Sequence, residues 1–205
     1  MQDQELPAPD IHSAAENQEH RSPGDDIPGR ILKVTPRRVD RAVFVLDMSG
    51  FTSSVRRHGI EAYIDKIRRM QDIAIQVVPR HGGEIIKFAA DNAFALFADS
   101  RAAIAAAADF QNVVRATNGS LAEAERIKVA IGIAWGEVII MPWRDIFGDA
   151  VNIASKLGED VAKGGEILVD DQIGREAAAA SGCHVELLRI RISGVSLHAY
   201  RLVPP

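Results

Sequence analysis

Two carboxylates stand where a rigid scaffold could aim them. Asp47 closes the apolar run Ala42-Val43-Phe44-Val45-Leu46, which reads as a buried strand with a polar residue at its C-terminal end. Asp91 lies between the strand-like runs Glu84 to Phe88 and Asn92 to Phe97, which read as a β-hairpin with an acid at its tip. Paired carboxylates on a rigid edge hold a hard cation such as Mg²⁺ and leave positions for a nucleotide's phosphate oxygens. Two such ions about 4 Å apart can serve both the attacking and the leaving oxygen of a displacement at phosphorus. Either acid alone is what an ordinary turn or cap would carry. Their meaning depends on the elements that position them.

After Ser49-Gly50-Phe51-Thr52 opens a helical stretch, Tyr63, Ile67, Met70, Ala74 and Val77 recur at helical spacing, the pattern of an amphipathic helix. Pro79 and the pair Gly82-Gly83 end it. Residues 100–117 are alanine-rich and read as a second helix ending near Asn118-Gly119. Ile127 to Ile133 and Val138 to Met141 read as a strand pair around Trp135-Gly136. Phe147 to Ala162 reads as a helix that stops at Gly164-Gly165. Glu166 to Val169, His184 to Ile192 and Leu197 to Val203 read as later strands. The order β-α-β-β-α-β with further strands behind it predicts an α/β (α+β) sandwich with a ferredoxin-like core and extra C-terminal strands. Its helices lie mainly on one face of the sheet. In that order the Asp47 strand and the Asp91 hairpin are neighbours, so both acids meet at one sheet end.

The chain has 205 residues and a formal net charge of −4. Residues 1–30 hold seven acids, two bases and four of the nine prolines, and no aromatic residue. Such a segment buries too little apolar surface to offset its ordering entropy, so it reads as a disordered acidic arm before a domain at 31–205. A single cysteine, Cys183, excludes an internal disulfide framework and a multi-cysteine zinc site. No apolar run approaches the ~20 residues that span a bilayer. The polar, acidic start lacks the basic and apolar regions of a signal peptide, so the expected compartment is the cytoplasm, with no membrane partner. The negative charge argues against a nucleic-acid partner. No histidine pair has metal-ligand spacing on one element.

The wider strings carry more. Phe44-Val45-Leu46-Asp47-Met48-Ser49-Gly50-Phe51-Thr52 resembles the first metal motif of class III adenylate and guanylate cyclases. Lys87-Phe88-Ala89-Ala90-Asp91 resembles that family's Lys-x-x-Gly-Asp hairpin. The stretch from Asp145 through Gly148, Val151 and Asn152 to Lys156 resembles its Asp-x-x-Gly-x-x-Val-Asn-x-Ala-x-Arg segment. The three motifs occur in the family's order, and the resemblance spans roughly residues 40–203. It implies the class III nucleotidyl cyclase fold. It implies that Asp47 and Asp91 bind two Mg²⁺ or Mn²⁺ ions. Backbone amides near Ser49, Gly50, Phe51 and Thr52 would meet the triphosphate, and Lys87 and Asp145 would select the base. Asn152 would orient the ribose, and Lys156 would stand in for the transition-state arginine. A lysine and a carboxylate suit adenine, whose ring nitrogen accepts and whose amino group donates; guanine's O6 would face repulsion from Asp145. The implied activity is conversion of ATP to 3′,5′-cyclic AMP and pyrophosphate. The family's sites form between two domains, and this chain carries both residue sets, which implies a homodimer.

Two positions depart from the family pattern. Ala90 replaces the glycine before the second acid, and Lys156 replaces the arginine, keeping its charge but losing its planar fork. These departures leave two alternatives open: a cyclase of other base specificity, guanylate or pyrimidine, and a degenerate, non-catalytic regulatory domain. Arg191, before Ser193-Gly194, is a candidate for a second phosphate-binding cation. Gly82-Gly83-Glu84-Ile85-Ile86 invites comparison with diguanylate cyclases, but their second acid is missing and the glycines read more simply as a turn.

Overall fold

The computed structural model describes residues 35–50, 55–57, 59–180, 184–192 and 195–203. The expected acidic arm at 1–30 and two site candidates, Phe51 and Thr52, lie outside the described residues.

The core runs β1 (Arg37–Met48), α1 (Ile60–Arg80), β2 (Glu84–Ala89), β3 (Asn92–Phe97), α2 (Ser100–Gly119) and β4 (Val129–Met141). The sheet order is β2-β3-β1-β4, continued by β6 (Ile167–Asp170), β8 (Val195–Val203) and β7 (His184–Ile192). The expected β-α-β-β-α-β core with C-terminal strands is therefore the observed one. β1 is central because both its faces are apolar. Ala42, Phe44, Leu46 and Met48 pack under α1 and α2, while Val43 and Val45 face the other side. Phe44 and Phe97 meet across the first face with ring centroids 5.5 Å apart.

α1 buries Tyr63, Met70, Ala74 and Val77, the stripe that the spacing predicts. Its first residue is Ile60, after Gly59 at φ 84°, and the described residues 55–57 before that glycine are also helical. α2 is capped by Asp99, whose side chain accepts from the Ala102 amide at 2.9 Å. Ala103, Ala106 and Ala107 let it lie close to the core.

Three expectations are corrected. First, residues 127–141 are not a strand pair turning at Trp135-Gly136. β4 is one strand that follows β1 continuously, from Met48 opposite Val129 to Arg37 opposite Ile140. Gly136 simply faces Arg41 in that ladder, where twelve paired residues outweigh one weak strand former. The turn comes later, at 142–144, and leads into β5 (Asp145–Phe147), which pairs back on β4.

Second, the stretch from Phe147 to Ala162 is not a uniform helix. Phe147 ends β5, α3 covers Asp149–Ser155, and Lys156–Val161 form a π-helical turn closed by the Ala162 amide on the Leu157 carbonyl at 2.8 Å. The wider turn lets two backbones meet. A Cβ on Gly132 of β4 would lie 2.1 Å from the Ala154 carbonyl oxygen and 2.5 Å from the Gly158 nitrogen. Only glycine fits there.

Third, α4 (Asp171–Ala179) occupies a stretch to which the sequence patterns assign no element. Asp170 caps it, accepting from the Ile173 amide at 2.9 Å. α1, α2 and α4 share one sheet face, and α3 lies on the other, against Val138 and Ile146. Among the described residues, no helix is long and apolar enough to cross a membrane.

Candidate active site

The β1–β3 register places Asp47 opposite Asn92, so Asp47 and Asp91 flank one corner of the sheet. Alternation puts Asp47 on the face of Val43 and Val45, opposite α1 and α2. Burial and then the Asp91 charge, with smaller effects of Glu159 and Asp160, push the Asp47 carboxyl up to about 6. A carboxylate this costly to ionise is one that a cation would relieve.

Asp91 is aimed by a helix. The Tyr63 hydroxyl, fully buried in α1, donates to Asp91 Oδ2 at 2.9 Å and lies 3.4 Å from the Met48 carbonyl. Burial first, and then this bond, push the phenol well above its usual range. Sequence reasoning places Tyr63 only in the core stripe.

The hairpin tip is tight. Ala89 pairs with Asn92, leaving Ala90 and Asp91 as the two central residues. Ala90 adopts φ 53°, the left-handed region that an L side chain enters at a cost of ~1–2 kcal/mol. Asn92 is already the first residue of β3 and does not relieve it. The position matched to the family's glycine thus retains a glycine-like conformation.

The π turn adds acids to this corner. Asn92 Nδ2 donates to Glu159 Oε1 at 3.0 Å. Glu159 is itself pushed up by burial and then by Asp160. Sequence reasoning treats Glu159 and Asp160 as a solvated helix end; the widened turn carries them back toward Asp47. Among the described residues, no group of three acidic, histidine or cysteine side chains converges as a complete metal cage. Two carboxylates with open positions suit Mg²⁺ or Mn²⁺, which retain water and accept phosphate oxygens. The donor set therefore fits the implied ions, and Asp47 and Asp91 are the residues that would hold them.

Lys87 and Asp145, 58 residues apart, meet. Lys87 Nζ donates to Asp145 Oδ1 at 2.6 Å, and the same oxygen accepts from the Ile146 amide at 2.9 Å. The Lys87 bond leads in holding the Asp145 carboxyl below its ordinary range. The Lys87 ammonium also lies 5.1 Å from the Phe94 ring centroid. Asn152 and Lys156 stand one helical turn apart, on α3 and at its C-terminal cap, hence on one face. Asn152 is exposed and Lys156 is half-buried.

The Ser49 amide donates to the Lys128 carbonyl at 2.9 Å, so it is engaged within the chain. Gly50, at φ 92°, follows it. A cavity of about 460 Å³ opens beside this turn, lined by Ser49, Gly50, Lys66 and Lys128 among others. Lys128 thus stands beside the expected phosphate turn, where sequence reasoning points instead to Arg191. Arg191 is exposed on β7, the sheet edge opposite β2.

Known proteins match this chain in sequence and in fold. The family model for the adenylate and guanylate cyclase catalytic domain matches residues 35–187. A protein of Rhizobium meliloti (strain 1021) named "Putative adenylate cyclase 3" is 26% identical over 143 residues, covering 70% of this chain. The match spans only 24% of that relative's length. Among solved structures, the adenylate/guanylate cyclase/hydrolase from Silicibacter pomeroyi superposes with a TM-score of 0.70 at 24% identity, covering 82% of this chain and 98% of that one. The adenylyl cyclase CyaB from P. aeruginosa gives 0.71 at 20% identity, covering 83% and 97%. The guanylate cyclase domain of RhGC from Catenaria anguillulae, in complex with GTP, gives 0.68 at 18% identity, covering 82% and 98%. With three quarters of its length matched by the family model, the chain belongs to the adenylate and guanylate cyclase catalytic domain family.

Proposed function

We propose that this cyclase domain is an adenylate cyclase that converts ATP to 3′,5′-cyclic AMP and pyrophosphate as a homodimer. The observation that carries the base choice is the Lys87–Asp145 pair at 2.6 Å. Among the described residues, Lys87 and the Ile146 amide both donate to Asp145 Oδ1. Oδ2 is then placed to accept from the adenine amino group while Lys87 donates to a ring nitrogen. Guanine would set its O6 acceptor against the carboxylate.

In the reaction the ribose 3′-oxygen attacks the α-phosphorus, the 3′ proton passes to solvent, and the bond to pyrophosphate breaks. Divalent ions, when bound, lower the hydroxyl's pKa and neutralise charge on the phosphates. Asp47 and Asp91 hold them. Tyr63 keeps Asp91 turned toward the corner. Asn152 orients the ribose, and Lys156 offsets the negative charge that grows on the α-phosphate. Ser49 and Gly50, with Phe51 and Thr52 next in sequence, receive the outer phosphates, and Lys128 lies beside the Ser49-Gly50 turn. Lys156 grips fewer oxygens than an arginine would, so a modest turnover is expected. Asp145 pairs with Met141 and Asp47 with Ala130, near opposite ends of β4, and this separation within one chain favours a site completed by a second copy.

The test is incubation of the purified protein with Mn²⁺ and each of ATP, GTP, CTP and UTP, with products identified by mass. Cyclic AMP that disappears in Asp47→Ala is the expected result. Another cyclic nucleotide as the main product overturns the base assignment. Nucleotide binding with no product from any of the four overturns the enzyme reading.

A further inference from the structure

We infer that Arg144 is a positioning residue for base selection, acting as a clamp that holds Asp145 against Lys87. The inference rests on the reading of that pair as the base-selecting one.

The turn between β4 and β5 contains Pro142, Trp143 and Arg144. The Arg144 amide donates to the Met141 carbonyl at 3.0 Å, and Arg144 takes φ 60°. This is a three-residue hairpin loop whose last position is left-handed, the place where glycine is favoured. An arginine there adopts a strained backbone, and such outliers point to a role for the side chain.

The side chain has one. Arg144 Nε donates to the Ile86 carbonyl at 3.1 Å, and its Nη2 donates to the Ile85 carbonyl. Both acceptors lie on β2, at the irregularity where the pairing with β3 shifts between Ile85 and Lys87. Among the described residues β2 is the sheet edge, and the irregularity at Ile86 breaks the usual alternation so that two successive carbonyls reach one donor. A planar guanidinium can bridge two successive carbonyls, which a point-charge ammonium cannot do with the same fixity. The residue after the two acceptors is Lys87, and the residue after Arg144 is Asp145. The fork therefore ties together the two backbone segments whose next side chains form the 2.6 Å pair. Ile86 and Ile146 pack in one apolar cluster and hold the same contact from beneath.

The experiment uses the full chain with Arg144→Gly and Arg144→Lys. Glycine suits the turn conformation, so a variant retaining the wild-type melting temperature isolates loss of the fork. KM and kcat are measured for ATP and GTP with Mn²⁺. Arg144→Gly is expected to lower the ATP-to-GTP ratio of kcat/KM about tenfold, mainly through KM for ATP, with kcat changed much less. Arg144→Lys should recover only part of the ratio. A ratio unchanged in Arg144→Gly overturns the inference, as does a parallel loss with both nucleotides through kcat alone.

A second readout needs no turnover. The Asp145 carboxyl, held below its ordinary range chiefly by the Lys87 bond, is titrated by NMR, and Arg144→Gly should move it upward as contact with Lys87 loosens. If the wild type makes no cyclic product, the adenylate cyclase reading fails. The titration then decides the clamp alone, and an unmoved Asp145 overturns it.

Discussion

The Tyr63 hydroxyl donates to the Asp91 carboxylate at 2.9 Å, so the helix that fills the core also aims one of the two acids at the sheet corner. Tyr63 is 1% exposed and its partner is half-buried, which joins the packing of α1 directly to the site. Tyr63→Phe keeps the ring and removes the donor. It should cost about 1 kcal/mol of stability, the usual net worth of one hydrogen bond. It should also raise the Mn²⁺ concentration for half-maximal activity about tenfold, as loss of an outer partner to a ligand does. A metal titration that matches wild type would show that Asp91 needs no such orientation.

Asp47 links the site to pH. Its folded pKa of about 6 lies above its ordinary 3.8. Between these values the folded state binds more protons than the unfolded state, so stability from this group falls as pH rises through the window and stays lost above it. Asp47→Asn should therefore be more stable than wild type at pH 7 in EDTA. The gap is about 1 kcal/mol once solvent screening of the half-buried group is allowed for. It should close toward pH 4, while Mn²⁺ stabilises wild type alone. Melting curves in which the gap widens toward low pH would contradict this sign.

Ala90 at φ 53° gives a stability test at the hairpin tip. Glycine relieves ~1–2 kcal/mol of left-handed strain and gives back roughly 0.5–1 kcal/mol in unfolded-chain entropy. Ala90→Gly should thus stabilise by roughly 0.5–1 kcal/mol, a rise of a few degrees in Tm by calorimetry. A lowered Tm would mean that the alanine methyl makes a compensating contact.

The shared-site proposal predicts complementation. Chains carrying Asp47→Ala and Asn152→Ala are each expected to be inactive. Mixed in equal amounts, random pairing makes half the dimers mixed, each with one intact site, so about a quarter of wild-type activity should return. No recovery after subunit exchange would place the whole site within one chain.

Much of this was legible in the residues. The apolar run into Asp47, the stripe of α1 and the Ala90–Asp91 tip depend on periodicity and turn chemistry, which act over a few residues. Those local rules predict β1, α1, α2 and the β2–β3 hairpin, and their order specifies the sheet core. Local rules misread β4, because Gly136 looks like a break and only its ladder against β1 shows that it is not. They miss the π turn, which exists because Gly132 and Gly158 allow two backbones to touch. They miss α4 and the sidedness of α3 for the same reason: both depend on which sheet face remains to be covered.

The family, the order of its motifs and the kinds of side chain available to the chemistry were determined by the sequence itself. The meeting of Lys87 with Asp145, the Tyr63 bond to Asp91, the return of Glu159 toward Asp47 and the Arg144 fork on β2 were decided only by the tertiary structure. Each joins residues at least 28 positions apart. Spacing along a chain carries no information about such contacts until strand register, a widened helical turn and a left-handed loop residue bring the segments together.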